Sequence, residues 1–366
     1  MSRNAKIGLS ILGAVVLAAV SFGCGRMSAN PPVPPTTTER TFTTPVVPPP
    51  FTTEDEYGTS EYPYGTSDYP DNGQTTEHTV PAQGAPAGFP SSEILRGAPD
   101  TAAQTFTGLR ALPQRPIAIE NPNHRNFPHI KIEHAFGVAQ NGKPHQISID
   151  SQGFFESKGY AAITYDTSAM QPGGEKSLYL TFDCGYENGN TAIILDVLQE
   201  KNVKAAFFLT SDYLKSAPEL VVRMIDEGHI VGNHSETHPS FPDIDRAAMA
   251  REVLNADNYL RTHFGYSAPF FRFPRGDYSE SALDAVASLG FTSVFWSSSY
   301  ADWDVNNQKG AQYALDTVVS RLHPGAILLL HSVSSDNAAA MADIIDHARE
   351  QGFVFRELTG LPFFHS

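Results

Sequence analysis

After residue 176 the chain holds seven short apolar runs, and between them lie stretches whose apolar residues recur at helical spacing. The apolar runs are 177–183, 204–210, 229–234, 269–273, 292–297, 326–331 and 353–358. Between them, Leu220, Val221, Met224 and Ile225 mark one helix face, with Gly228 beyond its end. Met249, Val253, Ala256 and Leu260 mark another, at steps of four, three and four. Ser279 is placed to cap a further helix that Gly290 closes, and Met341, Ile345 and Ala348 repeat the pattern before Gly352. Strands that alternate with helices pair in parallel, because each helix carries the chain back to the same end of the sheet. The pattern therefore specifies an α/β fold. Periodicity allows either a closed barrel or an open doubly wound sheet.

The earlier part of the chain reads differently. Arg3 and Lys6 precede an apolar run over 7–22, followed by Gly23 and Cys24. Sixteen apolar residues are short for a spanning helix, which needs about 20. Residues 1–24 are expected to be an export segment, either a lipoprotein-type signal modified at Cys24 or an uncleaved anchor. From 25 to 100 no folded unit is expected. A Pro/Thr tract fills 31–50, and a seven-residue repeat follows over 57–63 and 64–70. Such a linker of about 75 residues spans on the order of 50 Å as a coil and 200 Å fully extended. Residues 101–175 hold apolar patches separated by turn residues and are expected to form an extension packed on the main unit, 176–360.

Charge narrows the partners. The 25 Lys and Arg stand against 40 Asp and Glu, a net charge of −15. Nucleic acids and anionic lipid surfaces attract basic proteins, so neither is the expected partner, and membrane contact is expected only through the N-terminal anchor. Two cysteines rule out a disulfide framework and a four-cysteine zinc module.

Reactive side chains gather at the C-terminal ends of the apolar runs, where the loops of parallel α/β folds build their sites. Asp183 and Cys184 end the first run. His234 ends the third, with His238 four residues on. Arg272 lies in the fourth, Asp302 and Asp304 follow the fifth, and His331 ends the sixth. Each has an ordinary alternative: a helix-capping Asp, a surface Arg, a core His. With 13 His in the chain, a pair four apart decides nothing alone. Five placements on one edge are a different matter, because convergent polar groups in a pocket mark a site. Two neutral imidazoles suit a divalent cation, which acidifies bound water and polarises a carbonyl. Asp183 suits a general base kept ionised by Arg272. His331 suits an acid whose pKa Asp302 or Asp304 would raise.

These residues stand in motifs that resemble the polysaccharide deacetylase (NodB-homology) domain, carbohydrate esterase family 4. In order they are Thr181-Phe182-Asp183-Cys184, His234-Ser235-Glu236-Thr237-His238, Arg272-Phe273-Pro274-Arg275-Gly276, Asp302-Trp303, and Ile327-Leu328-Leu329-Leu330-His331. The resemblance covers about 180 residues. It implies a distorted (β/α)7 barrel that hydrolyses acetyl groups on sugars. It casts Asp183 as base, Arg272 as its orienter, His331 as acid, and His234 and His238 as metal ligands. Gly185-Tyr186-Glu187-Asn188-Gly189, Arg275 and the stretch from Trp303 to Tyr313 are similar to the peptidoglycan N-acetylmuramic acid deacetylases of spore formers, with Arg275 and Trp303 on the substrate side.

Muramic acid carries a lactyl carboxylate that N-acetylglucosamine lacks. An Arg fork paired with it is worth about 1.5–3 kcal/mol. Alternatively Arg275 points to solvent. Cys184 stands where the wider family has a metal-binding Asp. It is expected either as a thiolate ligand, which would favour zinc, or as a bystander. The sequence thus points to an anchored, extracytoplasmic N-acetylmuramic acid deacetylase. An N-acetylglucosamine deacetylase and a degenerate glycan-binding module are the other readings.

Overall fold

The computed structural model describes residues 110–117, 123, 125–134 and 138–361. The expected export segment, Cys24, the linker and the start of the 101–175 extension lie outside the described residues. Among the described residues no helix is long and apolar enough to cross a membrane.

The extension opens with β1 (Ile132–Glu133), α1 (Gln146–Lys158) and β2 (Ala162–Ile163). The repeated unit follows. It runs β3 (Ser177–Cys184), α2 (Thr191–Glu200), β4 (Ala206–Leu209), α3 (Ser211–Ser216), α4 (Pro218–Asp226), β5 (Ile230–Asn233), α5 (Arg246–Phe264) and β6 (Phe270–Phe271). It continues through β7 (Asp277–Tyr278), α6 (Glu280–Ser288), β8 (Thr292–Val294), β9 (Ser298–Ser299), α7 (Ala311–Ser320), β10 (Ala326–His331), α8 (Ser335–Glu350) and β11 (Val354–Phe355). All eight residues of β3 are buried, as befits a parallel strand covered on both faces. Where one helix was expected after β4 there are two: Pro218 cannot continue α3 and opens α4 as its first residue. The long α5 is capped by Asp245, whose side chain accepts from the Ala248 amide, and ends at Gly265 in the left-handed region.

The main sheet has the order β2-β8-β6-β5-β4-β3-β10-β9, with β11 beside β3. Its ladders are parallel. Residues 292–293 pair with β6, while 298–299 pair with β10. One continuous run therefore bridges the two ends, and the sheet curls back on itself around a distorted barrel axis. The seventh strand departs from a regular ring. β10 pairs with β3 directly over six residues, whereas the two residues of β11 meet only Ser177 and Leu178 at the foot of β3. The extension does more than pack on this unit, because β2 pairs with β8 and joins the same sheet.

Side chains alternate across a strand. Asp183 is in register with Phe208 of β4, and Phe182 with Phe207. The Phe182 and Phe207 rings stack at 5.0 Å. Phe208 lies 4.1 Å from the Arg272 guanidinium. Thr181, Asp183 and Phe208 thus face Arg272, while Phe182 and Cys184 face the opposite way.

Candidate active site

Arg272 leaves the end of β6 and is completely buried. Its Nη1 donates to Asp183 Oδ1 at 2.8 Å and to Thr181 Oγ1 at 2.9 Å. Its Nε and Nη2 donate to the carbonyls of Val294 and Phe295 at 2.9 and 3.2 Å. Burial alone would push the Asp183 carboxyl up. The charges of Arg272, His234 and His331, with the Arg272 hydrogen bond, outweigh it and hold Asp183 below the usual carboxylate range. A buried carboxylate is thus kept ionised and aimed.

His234 Nδ1 lies 2.9 Å from the Arg272 carbonyl oxygen. A carbonyl only accepts, so Nδ1 carries the proton and Nε2 presents its lone pair, 3.5 Å from Asp183 Oδ2. The His238 ring lies 4.8 Å away, centroid to centroid. Burial, first, and neighbouring cations keep both imidazoles neutral: His234 is lowered and His238 well lowered. The loop between them is pinned. Ser235 and His238 take positive φ of 72° and 62°. Ser235 Oγ accepts from the His238 amide at 3.0 Å, and Glu252 on α5 accepts from the amides of Glu236 and Thr237.

On the facing strand, His331 Nδ1 donates to Asp302 Oδ1 at 2.7 Å, and the His331 amide donates to Asp302 Oδ2 at 2.7 Å. Burial pulls His331 down, but the Asp302 charge and hydrogen bond more than offset this and raise it. Asn337, at the start of α8, donates to Asp302 Oδ2 at 2.5 Å and accepts from Tyr300 Oη at 2.5 Å. Sequence reasoning missed Asn337, Tyr300 and Glu252. Their polar side chains carry no periodic signal, and they meet the site only through folding. Trp303 is half-buried, its ring 5.9 Å from His331. Arg275 is exposed at φ +61°, and its charge is felt at His238. Asp304, the other candidate partner of the acid, is exposed and instead accepts from the Asn306 amide.

Cys184 is not brought to the two histidines. Alternation along β3 turns it away from Asp183, and Ser332 Oγ donates to its sulfur at 3.2 Å. Burial pushes its thiol up, so it stays protonated. Among the described residues no group of three or more His, Cys, Asp or Glu side chains is placed to hold a metal ion. His234 and His238 fit a divalent cation as two neutral donors, without a third from Cys184. The preference for zinc rested on a thiolate and loses that support, since two imidazoles suit several borderline cations.

Replacing Asp302 by Asn tests the acid. The His331 imidazolium loses its counter-charge, so the alkaline limb of the pH–rate profile moves to lower pH while the acid limb stays in place. A profile with both limbs unmoved would separate His331 from that limb.

A buried carboxylate–arginine pair, two neutral histidines and a carboxylate-supported imidazole meet at the C-terminal ends of parallel strands. The sequence pattern described as polysaccharide deacetylase matches residues 170–294. Over 201 residues the chain is 43% identical to the peptidoglycan-N-acetylmuramic acid deacetylase PdaA of Bacillus subtilis, covering 54% of this chain and 76% of that protein. It is 34% identical over 199 residues to a chitooligosaccharide deacetylase of Sinorhizobium fredii, covering 50% of this chain and 91% of the other. The solved structure of Bacillus subtilis PdaA, a family 4 carbohydrate esterase, superimposes with a TM-score of 0.61 at 38% identity, over 65% of this chain and 100% of that one. The chain belongs to the polysaccharide deacetylase family and is a hydrolase of the class that cleaves the carbon–nitrogen bond of N-acetyl groups. Deacetylases of carbohydrate esterase family 4 are metal-dependent.

Proposed function

We propose that this enzyme removes the acetyl group from N-acetylmuramic acid in peptidoglycan, outside the cytoplasm, held to the membrane by residues 1–24 through the 25–100 linker. The observation that carries the substrate reading is Arg275. It is exposed, three residues beyond the Arg272 that aims the base, with its charge felt at His238. A guanidinium there meets the lactyl carboxylate of a muramic acid whose acetamide lies at Asp183. The similarity to PdaA supports the same reading.

His234 and His238 would hold the cation, which when bound acidifies water and polarises the amide carbonyl. Asp183 takes the proton of the attacking water, and Arg272 keeps it ionised between turnovers. His331 gives a proton to the leaving nitrogen as the carbon–nitrogen bond breaks, leaving acetate and the free amine of the sugar. Asp302 stabilises the imidazolium before that transfer, and Trp303 walls the acid on one side.

The test is acetate release from peptide-free muramyl glycan and from N-acetylglucosamine polymer by the parent and by Arg275→Ala. The variant is expected to lose about 10- to 100-fold in kcat/KM on the muramyl substrate, the value of one charged hydrogen-bonded pair. The loss on N-acetylglucosamine polymer should be much smaller. An equal change on both would remove the carboxylate argument and leave N-acetylglucosamine as the substrate.

A further inference from the structure

Arg275 and Gly276 both occupy the left-handed region, at φ +61° and +76°. For a side chain such as Arg this costs about 1–2 kcal/mol, so the surroundings must impose it. The turn is closed by its own bond, from the Gly276 amide to the Phe273 carbonyl at 3.1 Å, and is seated by residues outside the family-matched 170–294. β1 of the extension pairs antiparallel with β7, Ile132 opposite Tyr278 and Glu133 opposite Asp277. The His134 amide donates to the Gly276 carbonyl at 3.0 Å. Lys131 Nζ is 2.9 Å from Asp277 Oδ2. His134 itself is buried and neutral, with Nε2 2.8 Å from the Trp296 carbonyl oxygen and its ring against the Trp296 indole at 5.1 Å. A Cβ at position 276 would stand 2.8 Å from the His134 carbonyl oxygen and 2.8 Å from the Trp296 ring, so the strap is seated directly on the glycine.

We infer that residues 131–134 form a positioning strap that holds the Arg275–Gly276 turn, and that His134 sets where the Arg275 guanidinium stands over the substrate. The inference rests on the reading of Arg275 as a substrate contact. It gives the N-terminal extension a part in the reaction: the barrel strands carry base and acid, and the extension fixes the residue that selects the sugar. His134 acts through Arg275 and touches no reacting atom. Its Nε2–H ties the segment to Trp296, beyond the end of β8, and β1 ties it to β7, so one segment joins the turn to both.

The experiment is a double-mutant cycle in the full chain, with His134→Ala and Arg275→Ala singly and together, and His134→Gln as the conservative variant. The assay is acetate release from peptide-free muramyl glycan and from N-acetylglucosamine polymer, with thermal unfolding measured for each variant. His134→Ala is expected to lower kcat/KM by about tenfold, mainly through KM, and to have no further effect in the Arg275→Ala background. His134→Gln keeps an N–H for the Trp296 carbonyl and should restore most of the loss. Equal losses in both backgrounds, an unchanged KM, or no rescue by Gln would overturn the strap. If His134→Ala does not fold, Lys131→Ala takes its place in the cycle, because its ion pair grips the same turn from the half-exposed side. A parent that acts only on N-acetylglucosamine polymer would refute the muramyl reading by its own preference. That outcome would take the strap's part in sugar selection with it, whereas a parent active on muramyl glycan with equal losses in both backgrounds would overturn the strap alone.

Discussion

Replacing Asp183 by Asn is expected to lower acetate release by about 10²–10⁴-fold, the usual value of a positioned general base. Asn keeps the shape and an oxygen for the Arg272 Nη1–H, so binding should change far less than turnover. The loss should fall on kcat and kcat/KM together, the mark of an interaction used in the transition state. Single-turnover acetate release by the parent and the variant measures this. A variant that keeps most of its rate would show that another group takes the proton from water, and would return the glycan-binding module to consideration.

The second large effect is on the frame itself. Arg272→Met is expected to cost about 3–5 kcal/mol of stability, because it leaves the Asp183 carboxylate buried without its counter-charge. Urea unfolding followed by the fluorescence of Trp296 and Trp303 reads the loss. Activity should fall as well, and the acid limb of the pH–rate profile should move up. The direction follows from the pair. In the parent, Asp183 is lowered, so the stability it contributes is present above the free carboxyl value and fades as pH falls through the depressed one. Without the guanidinium, burial dominates and the carboxyl protonates at higher pH. A methionine variant with parent-like stability would show that Asp183 is not left as an uncompensated buried charge when the guanidinium is gone.

Much of the frame could be read from the amino acids, for a physical reason. Parallel strands are buried on both faces, so they appear as unbroken apolar runs, and β3, β4, β5 and β10 all begin within three residues of the runs that announced them. Asp183, His234, Arg272 and His331 were visible because each sits at the end of such a run. Two-residue strands such as β2 and β11 are too short to carry a period. The joining of β2 to β8 is a long-range pairing that no local pattern encodes. Asn337 was hidden in the first turn of α8, where a polar residue is ordinary. The orientation of Cys184 was not legible, because its place in the motif is that of a ligand and only folding brings Ser332 to its sulfur.

Arg272 has one more consequence. From the end of β6 its guanidinium bonds to side chains of β3 and to carbonyls at the end of β8, and lies over Phe208 of β4. Four strands distant in sequence meet on one cation, so the curl of the sheet and the charge of the site depend on the same side chain. With the divalent cation supplied, recovered turnover and recovered tryptophan signal should rise along one time course.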